Sequence, residues 1–336
     1  MTANLRLGVI GAGLKAADYA RSWVRMPQVE FVACADVNAA SRTRLSEICV
    51  AGGRTAPREF GDYRAMLAQC SSELDAVYVS TPHALHAEQA IAVTQAGLDL
   101  LLEKPMVTTV AEAKQLIAAQ QASGNLVVVA FNGALSPLVR DTRERAAAGE
   151  FGELVSVAAA IWEGWSSQYD GQWKQKPEFS GGGFMFDTGA HMMNTVCLLA
   201  GVDFERVSAF TNNRGKAVDI VCAVAARLAN GALVTFNAAG DGPPGCASHL
   251  TLFYSKAIVR IDAWGGWREI SIGAGPAVRQ EAETTDNPMK TFMSVRAGAQ
   301  DNPSTVSNGL RFARLWDAIK ASAARGGEAV SIADIG

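Results

Sequence analysis

The sequence predicts an α/β doubly wound parallel sheet over residues 1–132, joined to an α+β half over residues 133–336 whose strands are mostly antiparallel. Three observations carry this reading. Up to Phe131, short β-branched runs alternate with helical patterns, the signature of a parallel sheet covered by helices on both faces. A glycine-rich turn, Gly11-Ala12-Gly13, closes the first run and opens a helix. Beyond Phe131 the runs lengthen, and two of them meet at Asn230-Gly231 with no helix between. A chain of 336 residues also exceeds what one compact core usually holds, which favours two domains.

In chain order, strands are predicted over residues 5–10, 30–36, 75–80, 99–103 and 126–131, with helices over 84–96 and 110–121 as the clearest crossovers, right-handed by default. The second half opens with a helix over 137–148 and continues with strands over 154–163, 218–229, 232–238 and 257–263. Asn230-Gly231 signals a two-residue hairpin turn in which both central residues take positive φ, and that sets the register of the two strands it joins. A buried helix is expected over 184–201 and a last one over 304–324, ending near Gly326-Gly327.

The chemistry concentrates where strands end. Gly11 permits a tight turn, Gly13 lets the backbone approach a pyrophosphate, and the helix beginning at Leu14 and Lys15 offers unpaired N–H groups, while Ala16 stands where the dinucleotide fingerprint often has a third glycine. An ordinary glycine turn is the plain alternative. Asp36 ends the second strand, where an acid accepts from ribose hydroxyls and repels a 2′-phosphate, so NAD is favoured ahead of NADP, although Arg42 and Arg44 lie close. Asp36 could also be a simple strand-end turn residue. Ser80, Thr81, Pro82 and His83 end a further strand and are expected to edge the cofactor; for His83 and His86 a structural role is equally open. Glu103-Lys104-Pro105 follows the next strand, and proline holds Lys104 extended, aimed into the crevice, on the opposite face from Glu103. Beside a cationic nicotinamide the Lys104 ammonium would be destabilised, giving a proton donor or acceptor.

After Gly181-Gly182-Gly183, the predicted helix carries Asp187, His191 and Asn194 on one narrow polar face among apolar neighbours, as a stripe lining a cleft would. A satisfied structural pair, or half a metal site completed by His249, is the competing reading; no metal is expected. The segment 162–179 is rich in aromatic residues, with Trp162, Trp165, Tyr169, Trp173 and Phe179, whose faces suit the C–H face of a sugar or, equally, a packed interface.

Composition excludes other classes. Lys and Arg number 30 against 33 Asp and Glu, with no long run of either sign, which argues against a nucleic-acid partner. No apolar run approaches membrane-spanning length and no signal-type start is present, so a soluble cytoplasmic protein is expected. The six cysteines are scattered without a C-x-x-C pair and read as reduced thiols, most of them in apolar stretches.

The Gly-x-Gly turn with Asp36, Glu103-Lys104-Pro105, the Gly181 to His191 motif and the Asn308-Gly309-Leu310 helix start together resemble the glucose–fructose oxidoreductase/inositol dehydrogenase/rhizopine catabolism (Gfo/Idh/MocA) family of NAD(P)-dependent oxidoreductases. That resemblance implies a Rossmann domain, an α+β domain with a large open sheet, and a homodimer or homotetramer. It also implies that Lys104, Asp187 and His191 surround the reacting carbon, with His191 the general acid or base and Asp187 orienting it or holding a hydroxyl. The chemistry expected is hydride transfer between nicotinamide C4 and a secondary hydroxyl carbon of a sugar, glycoside or cyclic polyol, with Asn194 on another hydroxyl. Reduction of an imine, bile pigment or dihydrodiol, or loss of catalysis in a nucleotide-binding regulator, are the alternatives.

Overall fold

The computed structural model describes residues 4–282 and 287–336. Six strands form a parallel sheet: β1 (Leu5–Ile10), β2 (Val29–Ala35), β3 (Arg58–Phe60), β4 (Ala76–Val79), β5 (Asp99–Leu102) and β6 (Val127–Val129), in the spatial order β3-β2-β1-β4-β5-β6. β1 and β4 are almost wholly buried because helices cover both faces, which is why these strands read as continuous apolar runs instead of alternating ones. The order reverses between β1 and β4, and the crevice beyond the carboxyl ends of those strands is where a doubly wound sheet binds its ligand.

The second sheet holds nine strands among the described residues: β7 (Leu154–Glu163), β8 (Phe204–Asn212), β9 (Val221–Leu228), β10 (Leu233–Ala239), β11 (Cys246–Tyr254), β12 (Ala257–Ile261), β13 (Trp267–Ile272), β14 (Val278–Glu281) and β15 (Val330–Ser331). Their order is β14-β13-β12-β11-β7-β10-β9-β8-β15, antiparallel except where β7 and β10 run side by side in parallel. Burial alternates cleanly along β9 and β12, as expected of a sheet covered on one face. The covered face receives the helices Gly189–Ala200 and Val306–Ala324; the other face leaves Phe210, Leu233, Phe253 and Ile258 exposed.

Three details depart from the sequence expectation. Of the two central residues at Asn230-Gly231 only Gly231 takes a positive φ (88°), and its N–H donates to the Leu228 carbonyl oxygen (2.9 Å). The connection is therefore a three-residue turn with a left-handed glycine, and Leu233 faces Arg227, a pairing one residue away from the one a two-residue turn would set. The helix expected over 184–201 is two pieces, Phe184–Asp187 and Gly189–Ala200, broken at Thr188. Finally, Pro288–Arg296, for which the sequence suggested no element, is a helix capped by Asn287 that buries Met289 and Phe292 in the core of the parallel sheet beside Trp23 and Tyr78. The last long helix also returns to the first half: Asp317 accepts from the Val110 N–H (2.9 Å) and Gly309 lies against Met106.

Of the six cysteines, all free, five are buried and Cys246 is exposed. Among the described residues no helix is long and apolar enough to cross a membrane.

Candidate active site at the sheet switch point

A cleft of about 850 Å³ opens at the switch point, floored by Gly11, Gly13, Ser80, Thr81 and Pro82, and flanked by Leu14, Lys15 and Asp36. Gly11 has a φ of 87°, and a Cβ there would lie 2.6 Å from the Ser80 carbonyl oxygen, so only glycine fits this turn. At Gly13 the reverse holds: a Cβ would meet nothing within 4 Å, leaving bare backbone facing the cleft at the start of the helix Leu14–Trp23. That is the cradle a dinucleotide pyrophosphate needs, and the donor set fits the group. The Asp36 carboxylate accepts from the N–H groups of Ala12 and Asn38 (2.8 Å each), which fixes it beside the turn. Arg42 is turned onto the Asp36 carbonyl oxygen (2.6 Å) and toward Glu59, away from the phosphate-reading role open to it from sequence.

The cleft is roofed by the segment after β7, through Gln168, Tyr169, Gln172, Trp173, Lys174 and Phe179. Behind this roof sits Asp187, almost fully buried. Its Oδ1 accepts from Lys104 Nζ (2.8 Å), which also donates to the Asp187 carbonyl oxygen (2.9 Å). Its Oδ2 accepts from the Trp165 indole N–H (2.8 Å) and pairs with Lys174 Nζ at 2.7 Å. Burial alone would raise the Asp187 carboxyl, but Lys104 and Lys174 outweigh it and hold the group well below the usual carboxylate range. Burial likewise opposes the Lys174 ammonium, but Asp187 and Tyr169 together outweigh it and raise that group.

Lys104 follows the end of β5 and joins Pro105 through a cis peptide bond. Glu103 points the other way, as strand alternation requires; it accepts from the Tyr78 hydroxyl (2.9 Å), and burial pushes it up. Neither Glu103 nor Lys104 borders the cleft, so the edge lies with their neighbours Ser80, Thr81 and Pro82. His83 is likewise turned inward from the cofactor edge where the sequence had put it. Its Nδ1–H donates to the Ser180 carbonyl oxygen (2.9 Å), its Nε2 stands 3.8 Å from Asp187 Oδ1, and burial lowers it from the usual 6.5 to about 3.

His191 is held on Gly189–Ala200 between Trp264 and Phe131, with ring centroids 5.5 and 6.3 Å away. Burial, reinforced by the nearby Lys104 charge, keeps its pKa well below 6.5, so the ring is a neutral imidazole. At Thr188, whose φ and ψ stay helical, the His191 N–H donates to the Thr188 carbonyl oxygen (3.2 Å) instead of that of Asp187, and the Asp187 oxygens are taken by Lys104, Lys174 and Trp165. His191 Nδ1 and Asn194 Nδ2 are buried with no hydrogen-bond partner among the described residues. His249, the third residue of the metal alternative, lies on the outer face of β11 against Trp267, away from both; among the described residues no group of three or more His, Cys, Asp or Glu could hold a metal ion.

The aromatic segment divides. Tyr169 and Trp173 line the cleft, and the Trp173 ring meets His83 edge-on at 4.8 Å. Trp165 is fully buried and offers no face to a sugar; its N–H is spent on Asp187. Trp162 follows the outward-facing positions of β7 and lies over Gly242 and Gly245, away from the site. Sequence reasoning missed Lys174 and Glu163, whose carboxylate accepts from the Thr188 hydroxyl (2.7 Å). A charged residue beside Trp173, a few positions before the triple glycine, was the available signal for Lys174; Glu163 carried none.

Comparison with known proteins agrees with this architecture. The sequence profile described as "Oxidoreductase family, NAD-binding Rossmann fold" matches residues 5–131, and that of the GFO/IDH/MocA C-terminal domain matches residues 139–260. Levoglucosan dehydrogenase of Pseudarthrobacter phenanthrenivorans is 27% identical over 214 residues, 61% of this chain and 53% of that protein. A dTDP-3,4-didehydro-2,6-dideoxy-alpha-D-glucose 3-reductase of Actinomadura kijaniata is 31% identical over 206 residues, 61% of this chain and 59% of that one, so the matched region spans little more than half of these relatives. D-xylose 1-dehydrogenase (NADP(+)) 2 of Haloferax volcanii is 27% identical over 237 residues, 70% of this chain and 69% of its own. Among solved structures, a levoglucosan dehydrogenase complex with NADH superposes with a TM-score of 0.83 at 21% identity, covering 98% of this chain and 99% of that one. Aldose-aldose oxidoreductase from Caulobacter crescentus, complexed with glycerol, gives 0.82 at 19%, with the same coverage. At these identities the structural likeness establishes the fold.

Proposed function

The chain belongs to the Gfo/Idh/MocA family of oxidoreductases, its N-terminal part an NAD-binding Rossmann fold, and from that membership we propose that it is a dehydrogenase of a secondary hydroxyl on a sugar, glycoside or cyclic polyol, using NAD. The observation that carries this reading is the Lys104–Asp187 pair set near a neutral His191, directly behind the roof of the dinucleotide cleft. Residues 1–132 are assigned to the dinucleotide and residues 133–336 to the substrate and to self-association.

Gly11, Gly13, Leu14 and Lys15 would hold the pyrophosphate, Asp36 the adenosine ribose, and Ser80, Thr81 and Pro82 the floor beyond. When bound, the nicotinamide supplies the hydride acceptor for alcohol oxidation, or the donor in reverse. A neutral imidazole is the form that accepts a proton, so His191 takes the hydroxyl proton as the carbon–oxygen double bond forms. Lys104 spends two N–H groups on Asp187 and directs the third at the reacting oxygen, where it stabilises developing negative charge. Asn194, with an unpartnered buried amide, is placed to donate to another hydroxyl. An acid at position 36 repels a 2′-phosphate, which supports NAD over NADP. The exposed apolar face of the nine-stranded sheet supports a homodimer or homotetramer built across it.

The test is the absorbance of reduced nicotinamide with purified protein, NAD or NADP, and a panel of inositols, aldoses, anhydrosugars and glycosides, after checking for bound cofactor. Reduction with one member fixes substrate class and cofactor together. Cofactor binding with no turnover on the whole panel overturns the sugar assignment.

A further inference from the structure

Asp187 is shared by two ammonium groups that reach it from different parts of the chain. Lys104 comes from the end of β5 in the parallel sheet, whereas Lys174 comes from the short turn Trp173–Gln175 in the segment that roofs the cleft. They take opposite oxygens, Lys104 on Oδ1 at 2.8 Å and Lys174 on Oδ2 at 2.7 Å. Lys174 is further defined by the Tyr169 ring, whose centroid lies 3.9 Å from Nζ. The roof is also tied by uncharged contacts: the Ser166 N–H donates to the Gly240 carbonyl oxygen (2.7 Å), His83 donates to the Ser180 carbonyl oxygen (2.9 Å) and the Trp173 ring meets His83 edge-on. The Lys216–Asp170 ion pair is at the surface, where such pairs contribute little. Lys174 is thus the charged link between the roof and the carboxylate that presents Lys104.

Resting on the dehydrogenase reading above, we propose that Lys174 is a positioning residue of the reaction: by occupying Asp187 Oδ2 it fixes the carboxylate on which Lys104 is aligned, and it makes that alignment depend on the roof being closed. With Oδ2 held by the Trp165 N–H alone, the carboxylate is freer to turn about its Cβ–Cγ bond and Lys104 loses its single set position. A shift of about 1 Å in a donor to the reacting oxygen is enough to lower turnover about 100-fold. The Trp165 N–H remains on the same oxygen but carries no charge and cannot replace the pull of an ammonium.

The experiment compares Lys174→Met and Lys174→Arg with the unaltered protein by two readouts. The first is chemical: pulsed acetylation without substrate, with modification of Lys104 followed by mass spectrometry. The expected result is Lys104 modification several-fold faster in Lys174→Met and restored protection in Lys174→Arg. The second is kinetic: in Lys174→Met, kcat falls about 10- to 100-fold with the pH profile of kcat displaced, and Lys174→Arg recovers most of the loss. A single cooperative thermal transition certifies that Lys174→Met is folded. Lys104 protected equally in all three proteins overturns the proposal, as does a Lys174→Met enzyme with the original kcat and pH profile. Should no sugar be turned over, the dehydrogenase reading fails by itself, while the acetylation readout still decides the role of Lys174.

Discussion

The indole N–H of Trp165 donates to Oδ2 of Asp187 at 2.8 Å, with both side chains sealed from solvent. An aromatic residue that sequence alone could assign to a sugar face is thereby committed to the carboxylate. The Asp187 carboxylate faces two lysines and this indole, and the behaviour of the site depends on that crowding.

Replacing Asp187 with Asn keeps the shape and removes the charge. Two largely buried ammonium groups then lack their counter-ion, and the expected loss is about 3–5 kcal/mol of unfolding free energy, read by urea titration. Pairing Asp187→Asn with Lys174→Met should recover part of it, since one stranded charge is removed; an additive double-mutant cycle would show that the pair is not coupled.

Lys104→Ala should lower turnover about 100-fold or more while NAD affinity, measured by fluorescence titration, is largely kept. Turnover equal to that of the parent enzyme would remove Lys104 from the reaction.

The two glycines of the turn should separate folding from binding. At Gly11, alanine meets both a φ of 87° and the Ser80 carbonyl oxygen, and is expected to destabilise the protein by about 1–3 kcal/mol or more. At Gly13, alanine meets no protein atom, so the melting temperature should hold while NAD affinity drops about tenfold, or about 1.4 kcal/mol. Calorimetry with and without NAD measures both.

Asp36→Ser keeps a short hydrogen-bonding side chain and removes the negative charge. The ratio of kcat/KM for NAD to that for NADP should fall, by about tenfold for each 1.4 kcal/mol of lost discrimination. An unchanged ratio would place cofactor choice elsewhere.

His83 sets a pH dependence whose sign is fixed by its burial. The unfolded chain takes a proton on this ring near 6.5, the folded protein only near 3. Between those values the unfolded state binds more protons, so stability is complete above about 6.5 and declines as pH falls toward 3. His83→Gln should flatten that decline in urea midpoints measured across the interval; an unaltered slope would mean that other groups dominate it.

Features with local causes were legible in the sequence. The glycine turn, the strand-end acid at Asp36 and the exit of Lys104 from β5 each follow from the backbone freedom or fixed φ of one or two residues, and the structure puts them at one sheet edge. Features set by long-range packing were not. Nothing local distinguishes Trp165, which the fold buries, from Trp173, which it leaves on the cleft. The helix is interrupted at Thr188, where Lys104 takes the Asp187 carbonyl oxygen and Glu163 takes the Thr188 hydroxyl, and an apolar run of that length gives no such warning. Lys174 lacked any periodic context, since it lies in a segment of short turns.

The helix Pro288–Arg296 and the long helix after it carry the end of the chain back onto the parallel sheet. The nucleotide half is therefore not a detachable cassette: cut after residue 132, it would lose Met289 and Phe292 from beside Trp23 and Tyr78, and the Asp317 partner of Val110. Exchange of this half between relatives must carry the C-terminal helices along with it. A dinucleotide seated at one edge would then tighten the whole polypeptide, and heat would melt both halves in one cooperative step.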